Sequence, residues 1–353
     1  MTISSLRISN LRNISESELD PAKSNNLIWG SNGSGKTSIL ESIYLLGRGR
    51  SFRSSKAGPL IKKSEESLSV FSQYNKQNQH YRIGISKTNT STEVKINEEN
   101  INKLSSLASI LPLHIITPQS HQILEREPEF RRRFIDWGVF HVEHDHNQLL
   151  SRFIKTLNQR NAALRSDTGQ ARIWDRELIK TGEQINAHRF KYLQLLEEAL
   201  KNELDLFLPI FKCTFDWRPG WDREKGFEHA LKETFQSDCK RGFTQSGPQR
   251  ADLVIRIDGQ KAAEVASRGQ QKLLITALKI AQIKVTSQIN GEEQILLLDD
   301  LAAELDRENL GKTLNRIQAL SVQSFITATD DILFKDFDIE RVFHVEHGRI
   351  DTG

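Results

Sequence analysis

The sequence is poor in cysteine and in long apolar runs. Its 353 residues contain two cysteines, Cys213 and Cys239, which form neither a CxxC pair nor a disulfide framework. The longest candidate for a membrane span, residues 295–298, is far below the ~18 uninterrupted apolar residues that a spanning helix needs. The first ten residues, MTISSLRISN, lack the basic and then apolar pattern of a secretory signal. We therefore expect a soluble protein of the reducing cytoplasm, without a membrane partner.

A large excess of charge of one sign is also absent. Lys and Arg together number 49 and Asp and Glu number 46, which gives a net charge of +3 at pH 7. Any surface for nucleic acid must therefore be a local patch rather than a property of the whole chain. The length is sufficient for two or three domains of ordinary size.

The sequence does contain a phosphate-binding loop. The pattern GxxxxGK[ST] is formed by Gly30, Ser31, Asn32, Gly33, Ser34, Gly35, Lys36 and Thr37. An apolar segment precedes the loop and residues with helical spacing follow it, which argues against an accidental Gly/Ser loop. The glycines allow backbone N–H groups to face a phosphate, while Lys36 supplies a positive charge and Thr37 a hydroxyl for Mg²⁺. We assign these residues and Ser38 to ATP binding.

A second motif lies far downstream. Residues 294–298 are an apolar run typical of a strand buried on both faces, and Asp299 and Asp300 follow directly. This pattern is a Walker B motif, in which Asp299 would hold Mg²⁺ and Asp300 would orient the attacking water as a general base. The alternative is a core strand followed by an aspartate that caps a helix.

A third motif precedes a long amphipathic helix. Ser267, Arg268, Gly269 and Gln270 place a hydroxyl and free backbone N–H groups at a helix N-terminus, where anions bind. Taken alone, Ser267 is equally consistent with an ordinary N-cap. The motif lies between the other two in the sequence, which makes its assignment as an anion site more specific. One chain then carries two helix ends suited to phosphate.

The remaining pattern divides the chain into two regions. Residues up to about 118 alternate apolar and polar side chains in short segments, as antiparallel strands do. Residues 123 to about 208 have almost no turn chemistry, and their apolar side chains recur three and four apart. We predict a head formed by residues 1–120 and 245–353 and a mainly helical arm formed by residues 121–244.

The motifs together resemble the RecF family of SMC-class ABC-type ATPases. Supporting stretches are LRN at 11–13, GRSFR at 49–53, RRRFIDWG at 131–138, QRNAAL at 159–164, GPQRAD at 247–252 and AELD at 303–306. The resemblance runs along essentially the whole chain. It implies an α/β fold in which a P-loop ATPase head with mixed sheets carries a mostly helical second lobe between the Walker A motif and the signature motif.

The resemblance also implies a nucleotide held between two copies of the chain. ATP on one phosphate loop would be covered by the signature of the partner, including its Ser267 and Gly269, so that ATP drives homodimerisation. Gln119 would join Thr37 and Asp299 in the Mg²⁺ shell, and Asp306 would lie at the dimer interface. Most ABC ATPases have Glu where this chain has Asp300, so we expect slow turnover of ATP.

A DNA-related function follows from the same resemblance. It implies an ATP-dependent protein of recombinational repair, replication-fork maintenance and the SOS response to DNA damage, with a weak ATPase that DNA stimulates. Such a protein binds single- or double-stranded DNA, linear or gapped, and helps RecO and RecR to load RecA. The basic residues that we expect to contact DNA phosphates are Arg50, Arg53, Lys56, Arg131 and Arg132.

Three alternatives fit the sequence less well. A transporter ATPase would have its signature ~100 residues after the phosphate loop, whereas Lys36 and Ser267 are much farther apart. An SMC-like tether needs long heptad arms, and none is visible. The segment HVEHDH at 141–146 has ligand types for zinc, but His141 and Asp145 would not share a helix face with its other histidines, so we assign no metal there.

Overall fold

The protein is described from a computed structural model over residues 2–54, 56–76, 79–101, 103–291, 293–320 and 322–352. Backbone contacts divide the chain into two compact units. Unit 1 comprises Met1–Ser120 and Gly291–Gly353, and unit 2 comprises His121–Asn290. Within the described ranges, no helix combines the length and the apolar character that crossing a membrane requires.

The elements follow one another in three blocks. The first block of unit 1 contains β1 Thr2–Leu11, β2 Ile14–Leu19, β3 Asn25–Trp29, α1 Lys36–Arg48, β4 Ser67–Lys76, β5 Gln79–Thr88, β6 Thr92–Ile96, β7 Glu99–Asn100, α2 Ser105–Ile110 and β8 Leu113–Ile116. Unit 2 contains α3 Gln122–Glu125, α4 Pro128–Val142, α5 His146–Ser166, α6 Asp175–Phe207, β9 Cys213–Arg218, α7 Gly226–Arg241, β10 Asp252–Ile257, β11 Gln260–Lys261, α8 Ala262–Val265 and α9 Arg268–Asn290. The second block of unit 1 contains β12 Gln294–Leu298, α10 Leu301–Glu304, α11 Arg307–Gln318, β13 Val322–Ala328, β14 Arg341–Glu346 and β15 Arg349–Thr352. Short 3₁₀ helices cover Gly58–Leu60, Pro118–His121, Thr168–Trp174, Pro248–Arg250 and Ile332–Phe334.

A largely parallel sheet in unit 1 positions the phosphate loop. Its strand order is β15-β14-β3-β13-β12-β8, and each neighbouring pair is parallel except β14 with β15. Every residue of β12 and β13 is buried, as expected for strands covered on both faces. The phosphate loop follows β3 and Asp299 follows β12, so the carboxyl ends of parallel strands bring both to one edge of the sheet.

The second sheet of unit 1 is antiparallel and has the order β2-β1-β4-β5-β6-β7. One hydrophobic core joins it to α1 and to the parallel sheet, and this core includes Leu6 of β1, Ile43 of α1 and Phe325 of β13. Helix α1 is therefore held along its length while its first residue stays beside the phosphate loop.

Unit 2 is mainly helical. The 33-residue α6 packs against α4, α5, α7 and α9, and a three-stranded antiparallel sheet of order β11-β10-β9 completes the unit. The core of α5, α6 and α7 contains Phe153, Leu178 and Phe227. The α/β fold expected from sequence is confirmed, but residues 245–290, which the sequence predicts as part of the head, cluster with unit 2. The reason is packing, because α9 lies against α6.

Candidate nucleotide site

The backbone of the phosphate loop requires glycine at its two ends. Gly30 has φ +152°, and a Cβ atom there would lie 2.2 Å from the carbonyl oxygen of Val345. Gly35 has φ +125° and immediately precedes α1. A side chain at either position would be strained, so the tight curl of the loop depends on these residues. The curl leads into the helix N-terminus, where free N–H groups favour a phosphate.

Lys36 is folded back onto its own loop. Its Nζ donates hydrogen bonds to the carbonyl oxygens of Gly30, at 2.7 Å, and Ser31, at 2.9 Å. Burial lowers the pKa of Lys36, and the carboxylates of Asp300 and Asp299 oppose that shift. The ammonium group is thus held next to the loop by two neutral acceptors and lies in the field of the two carboxylates.

Asp299 is a buried carboxylate held by two hydroxyl groups. Its Oδ1 accepts hydrogen bonds from Thr37 Oγ1 at 2.9 Å and from Thr327 Oγ1 at 3.0 Å. Burial raises the pKa of Asp299, while the hydrogen bonds from Thr37 and Thr327 lower it. A carboxylate that burial destabilises is stabilised by a cation, so Thr37 and Asp299 together suit Mg²⁺.

Asp300 adopts an unusual backbone conformation. It has φ +52° and ψ +40°, the left-handed region, and its side chain does not cap α10. The backbone N–H of Asp300 donates to Thr327 Oγ1 at 2.8 Å. Its Oδ1 is buried and has no hydrogen-bond partner among the described residues. A left-handed aspartate with an unsatisfied oxygen indicates a function other than that of a helix cap.

The site also contains residues that the motifs did not reveal. Asn13, in the turn between β1 and β2, donates through Nδ2 to the carbonyl oxygen of Ser34 at 2.9 Å and accepts from Ser38 Oγ at 3.2 Å. Thr327, near the end of β13, donates a hydrogen bond to Asp299 and accepts one from the backbone N–H of Asp300. The LRN stretch was a signal for Asn13, whereas nothing local marks Thr327, because its role depends on strand pairing.

These residues line one cavity of about 320 Å³ in unit 1. The lining residues are Arg12, Asn13, Asn32, Gly33, Gly35, Lys36, Thr37, Ser38, Arg53, Asp299, Asp300 and Thr327. The structure therefore brings the predicted phosphate loop and the predicted acidic pair together. Gln119 is not part of this lining, although it follows β8, the strand beside β12.

The signature motif lies at the start of α9 in unit 2. Ser267 Oγ accepts from the backbone N–H of Gln270 at 3.3 Å, and Gln270 Oε1 accepts from the backbone N–H of Ser267 at 2.8 Å. This reciprocal pair is a capping box. Arg268 forms a 2.7 Å ion pair with Glu125. Within its own chain, Ser267 thus has the N-cap role that the sequence left open.

Asp306 caps another helix. Its Oδ1 accepts from the backbone N–H of Asn309 at 2.9 Å and its Oδ2 from the Asn309 side chain at 2.7 Å. These hydrogen bonds, the backbone one first, lower the pKa of Asp306. The exposed position of Asp306 leaves the predicted role at a dimer interface as a prediction.

Two of the expected DNA contacts are engaged within unit 2. Arg131 pairs with Asp252 at 2.6 Å, and Arg132 donates to the carbonyl oxygen of Ala251 at 2.7 Å, so both guanidinium groups serve contacts inside unit 2. Arg53 lines the nucleotide cavity. Of the five candidates, Arg50 and Lys56 are the two that are exposed and do not line the nucleotide cavity.

Comparisons with known proteins agree with this geometry. Residues 2–351 match the family described as "RecF/RecN/SMC N terminal domain". A protein of Shewanella halifaxensis (strain HAW-EB4), named DNA replication and repair protein RecF, is 39% identical over 354 residues, which cover 99% of this chain and 97% of the relative. The chain belongs to the RecF family.

Solved structures extend the similarity to three dimensions. A RecF structure described as the recombination mediator protein RecF-ATP in the RecFOR pathway has a TM-score of 0.89 and 26% identity, covering 99% of this chain and 97% of that one. An Smc head bound to the C-winged helix domain of ScpA has a TM-score of 0.63 at 14% identity, covering 100% and 97%, and supports the fold alone. The resemblance to the RecF family and the SMC-type head fold are thus confirmed.

Proposed function

We propose that this protein is an ATP-dependent DNA-binding protein of recombinational repair that hydrolyses ATP slowly. The observation that carries the proposal is the cavity of unit 1, where the phosphate loop faces the two acidic residues that follow β12. Membership of the RecF family supports the DNA repair role, and a RecF relative of known structure is described with ATP.

ATP would bind through the loop and the start of α1. Backbone N–H groups of Gly33 to Thr37 would face the phosphates, and Lys36 would exchange its two carbonyl acceptors for phosphate oxygens. Thr37 and Asp299 would hold Mg²⁺, whose chemistry is to neutralise charge on the phosphate oxygens. The raised pKa of Asp299 fits this role, because a buried carboxylate without a cation is disfavoured.

Hydrolysis would depend on Asp300. Its unpartnered Oδ1 is the one that could accept a hydrogen bond from the attacking water. Thr327 donates to Asp299 and accepts from the backbone of Asp300, so it would keep both acids in register. Because aspartate is shorter than the glutamate of most ABC ATPases, turnover would be slow.

The second half of the site would come from another copy of the chain. A hydroxyl group has one donor and two acceptor positions, and the capping box uses an acceptor position of Ser267 Oγ. Its proton therefore remains available for a phosphate oxygen of the partner's nucleotide. A Cβ added at Gly269 would meet only Ser267 Oγ, at 4.0 Å, so the chain itself does not require glycine there. Close approach of a partner molecule would account for it.

DNA would bind to the dimer rather than to a strongly basic chain, since the net charge is only +3. Arg50 and Lys56, on the segment after α1, are our remaining candidates for phosphate contacts. We further propose gapped or junction DNA as the preferred ligand, RecR and RecO as partners and RecA as the recombinase whose loading is promoted.

Light scattering with and without ATP tests this proposal. The parent protein should be monomeric without nucleotide and dimeric with ATP and Mg²⁺, and DNA should be retained only in the dimeric state. Lys36→Ala should lose ATP binding in calorimetry, dimerisation and DNA retention together, because it removes the ammonium group that the loop itself holds beside the phosphate position. Lys36→Arg, which keeps the charge, should bind ATP measurably. Parental ATP affinity in Lys36→Ala would refute the assignment of the cavity.

A further inference from the structure

A group of metal-ligand side chains lies in unit 2 and is not part of the nucleotide cavity. Glu143 and Asp145 occupy the turn between α4 and α5, and His188 projects from α6. One ligand atom from each of these three residues lies within 4.8 Å of the other two. The helices bring His188 to two carboxylates 43 and 45 positions earlier in the sequence, which no local pattern indicates.

The imidazole groups around this cluster have unused nitrogen atoms. Nδ1 of His188 is buried and has no hydrogen-bond partner among the residues described. The neighbouring His146 is fully buried, its ring centroid lies 5.6 Å from that of His188, and its Nδ1 also lacks a partner within the described ranges. Buried polar atoms are normally satisfied, so two such nitrogens in neighbouring rings require an explanation.

A hydrogen-bonded network lies beside the cluster, next to the His188 ring. Nε2 of His146 lies 3.2 Å from Asp136 Oδ1, and Asp136 is held by Arg189 through two hydrogen bonds of 2.7 and 2.8 Å. A carboxylate on one ring nitrogen fixes an imidazole and leaves the other nitrogen free for a ligand. This network fixes the orientation of the His146 ring beside His188.

Lys191 supplies the positive charge of the cluster. Its Nζ lies 2.7 Å from Glu143 Oε1, yet its side chain is 66% exposed. His188 Nε2 lies 3.9 Å from Asp145 Oδ1. An exposed lysine can swing into water at little cost, because such surface pairs are worth only ~0–1 kcal/mol. A divalent cation could therefore replace the ammonium group beside Glu143.

We infer that Glu143, Asp145 and His188 bind a divalent transition-metal ion. The mixture of imidazole and carboxylate ligands favours zinc over calcium or magnesium, which prefer oxygen ligands alone. Bound metal would tie the α4–α5 turn to α6. The histidine-rich sequence segment contributes its acidic residues to this site, whereas His144 lies outside the cluster and is exposed.

Calorimetry with zinc chloride on the metal-stripped full-length protein tests the inference. His188→Ala should weaken zinc binding at least ~10-fold, since even outer-shell changes cost 10–100-fold. His144→Ala is the matched control, because it removes a histidine from the same turn but not from the cluster, and its zinc affinity should equal that of the parent. Lys191→Gln should bind zinc up to ~5-fold more tightly, because it removes the competing charge.

Two measurements keep the test independent of folding. The melting temperature without metal should be similar in the parent and in His188→Ala, whereas zinc should raise it only in the parent and in His144→Ala. Cobalt(II) should give the parent a visible absorption band that His188→Ala lacks. Equal zinc affinity in His188→Ala and the parent, equal losses in His188→Ala and His144→Ala, or weaker binding by Lys191→Gln would overturn the site.

Discussion

The nucleotide cavity of unit 1 and the Arg160 cluster of unit 2 use buried charge differently. In unit 1, Lys36, Asp299 and Asp300 surround a cavity, and Asp300 Oδ1 has no partner within the described chain. In unit 2, Arg160 is fully buried, and it pairs with Asp175 at 2.7 Å and with Asp238 at 2.8 Å. Charge that lacks internal partners is available to a ligand, whereas charge that is paired with opposite charge inside the protein holds helices together.

The contrast corrects a simple interpretation of basic stretches. Arg131 stands in the basic stretch 131–133 that the sequence predicts to contact DNA, but it forms a salt bridge inside unit 2, as Arg160 and Arg189 also do. A basic residue is therefore a DNA candidate only once the structure shows that its charge is free.

The largest expected effect concerns the acidic pair of unit 1. Asp300→Asn should keep ATP affinity but slow hydrolysis ~10²–10⁴-fold, the usual contribution of a positioned base. Asp299→Asn should instead weaken the Mg²⁺-dependent step. Single-turnover hydrolysis together with nucleotide binding separates the two. If Asp300→Asn hydrolyses ATP at the parental rate, the contrast fails, because Asp300 is then merely the residue that starts α10.

The next effect should be a loss of stability in unit 2. Arg160→Met leaves Asp238 buried without its cation, which should lower the free energy of unfolding by about 3–5 kcal/mol. Arg152→Met is the matched control on the same helix, since Arg152 is 60% exposed in its pair with Glu177 and should cost no more than about 1 kcal/mol. Urea unfolding measures both. Equal losses would contradict a structural role for the buried arginine.

These differences also explain what the sequence could and could not predict. The phosphate loop and the acidic pair were predictable because each is a local motif beside an apolar strand. Strands such as β6 and β12 matched their alternating or continuous apolar patterns. Thr327 was not predicted because strand pairing, not local sequence, brings it to the cavity, whereas Asn13 belongs to the LRN stretch and only its contact with the loop depends on the fold. The burial of Arg160 was missed because its partners lie 15 and 78 residues away.

A smaller effect should appear as pH dependence. Burial alone would raise the pKa of Asp136, but the Arg189 charge and hydrogen bonds from His146 and Arg189 lower it to about 2. The unfolded chain has a value near 3.9, so this carboxylate contributes about 2 kcal/mol above pH ~4 that is lost as pH falls toward 2. Urea unfolding between pH 5 and 2 should show this slope in the parent and not in Asp136→Asn. The same slope in both would contradict the pairing.

In the proposed dimer, ATP lies between the phosphate loop of one copy of the chain and Ser267 of the other. Mixing two variants tests this arrangement most directly. Ser267→Arg should bind ATP as a monomer but fail to dimerise, because a guanidinium would fill the space for the partner's γ-phosphate. Lys36→Ala should fail to bind ATP. In a mixed dimer, one composite site carries both changes and the other carries neither. Light scattering with ATP should therefore show that dimerisation is restored in the mixture.

If Ser267 is only an N-cap, its loss costs ~1 kcal/mol of stability. Ser267→Arg alone would then dimerise with ATP and mixing would restore nothing, which would contradict the account.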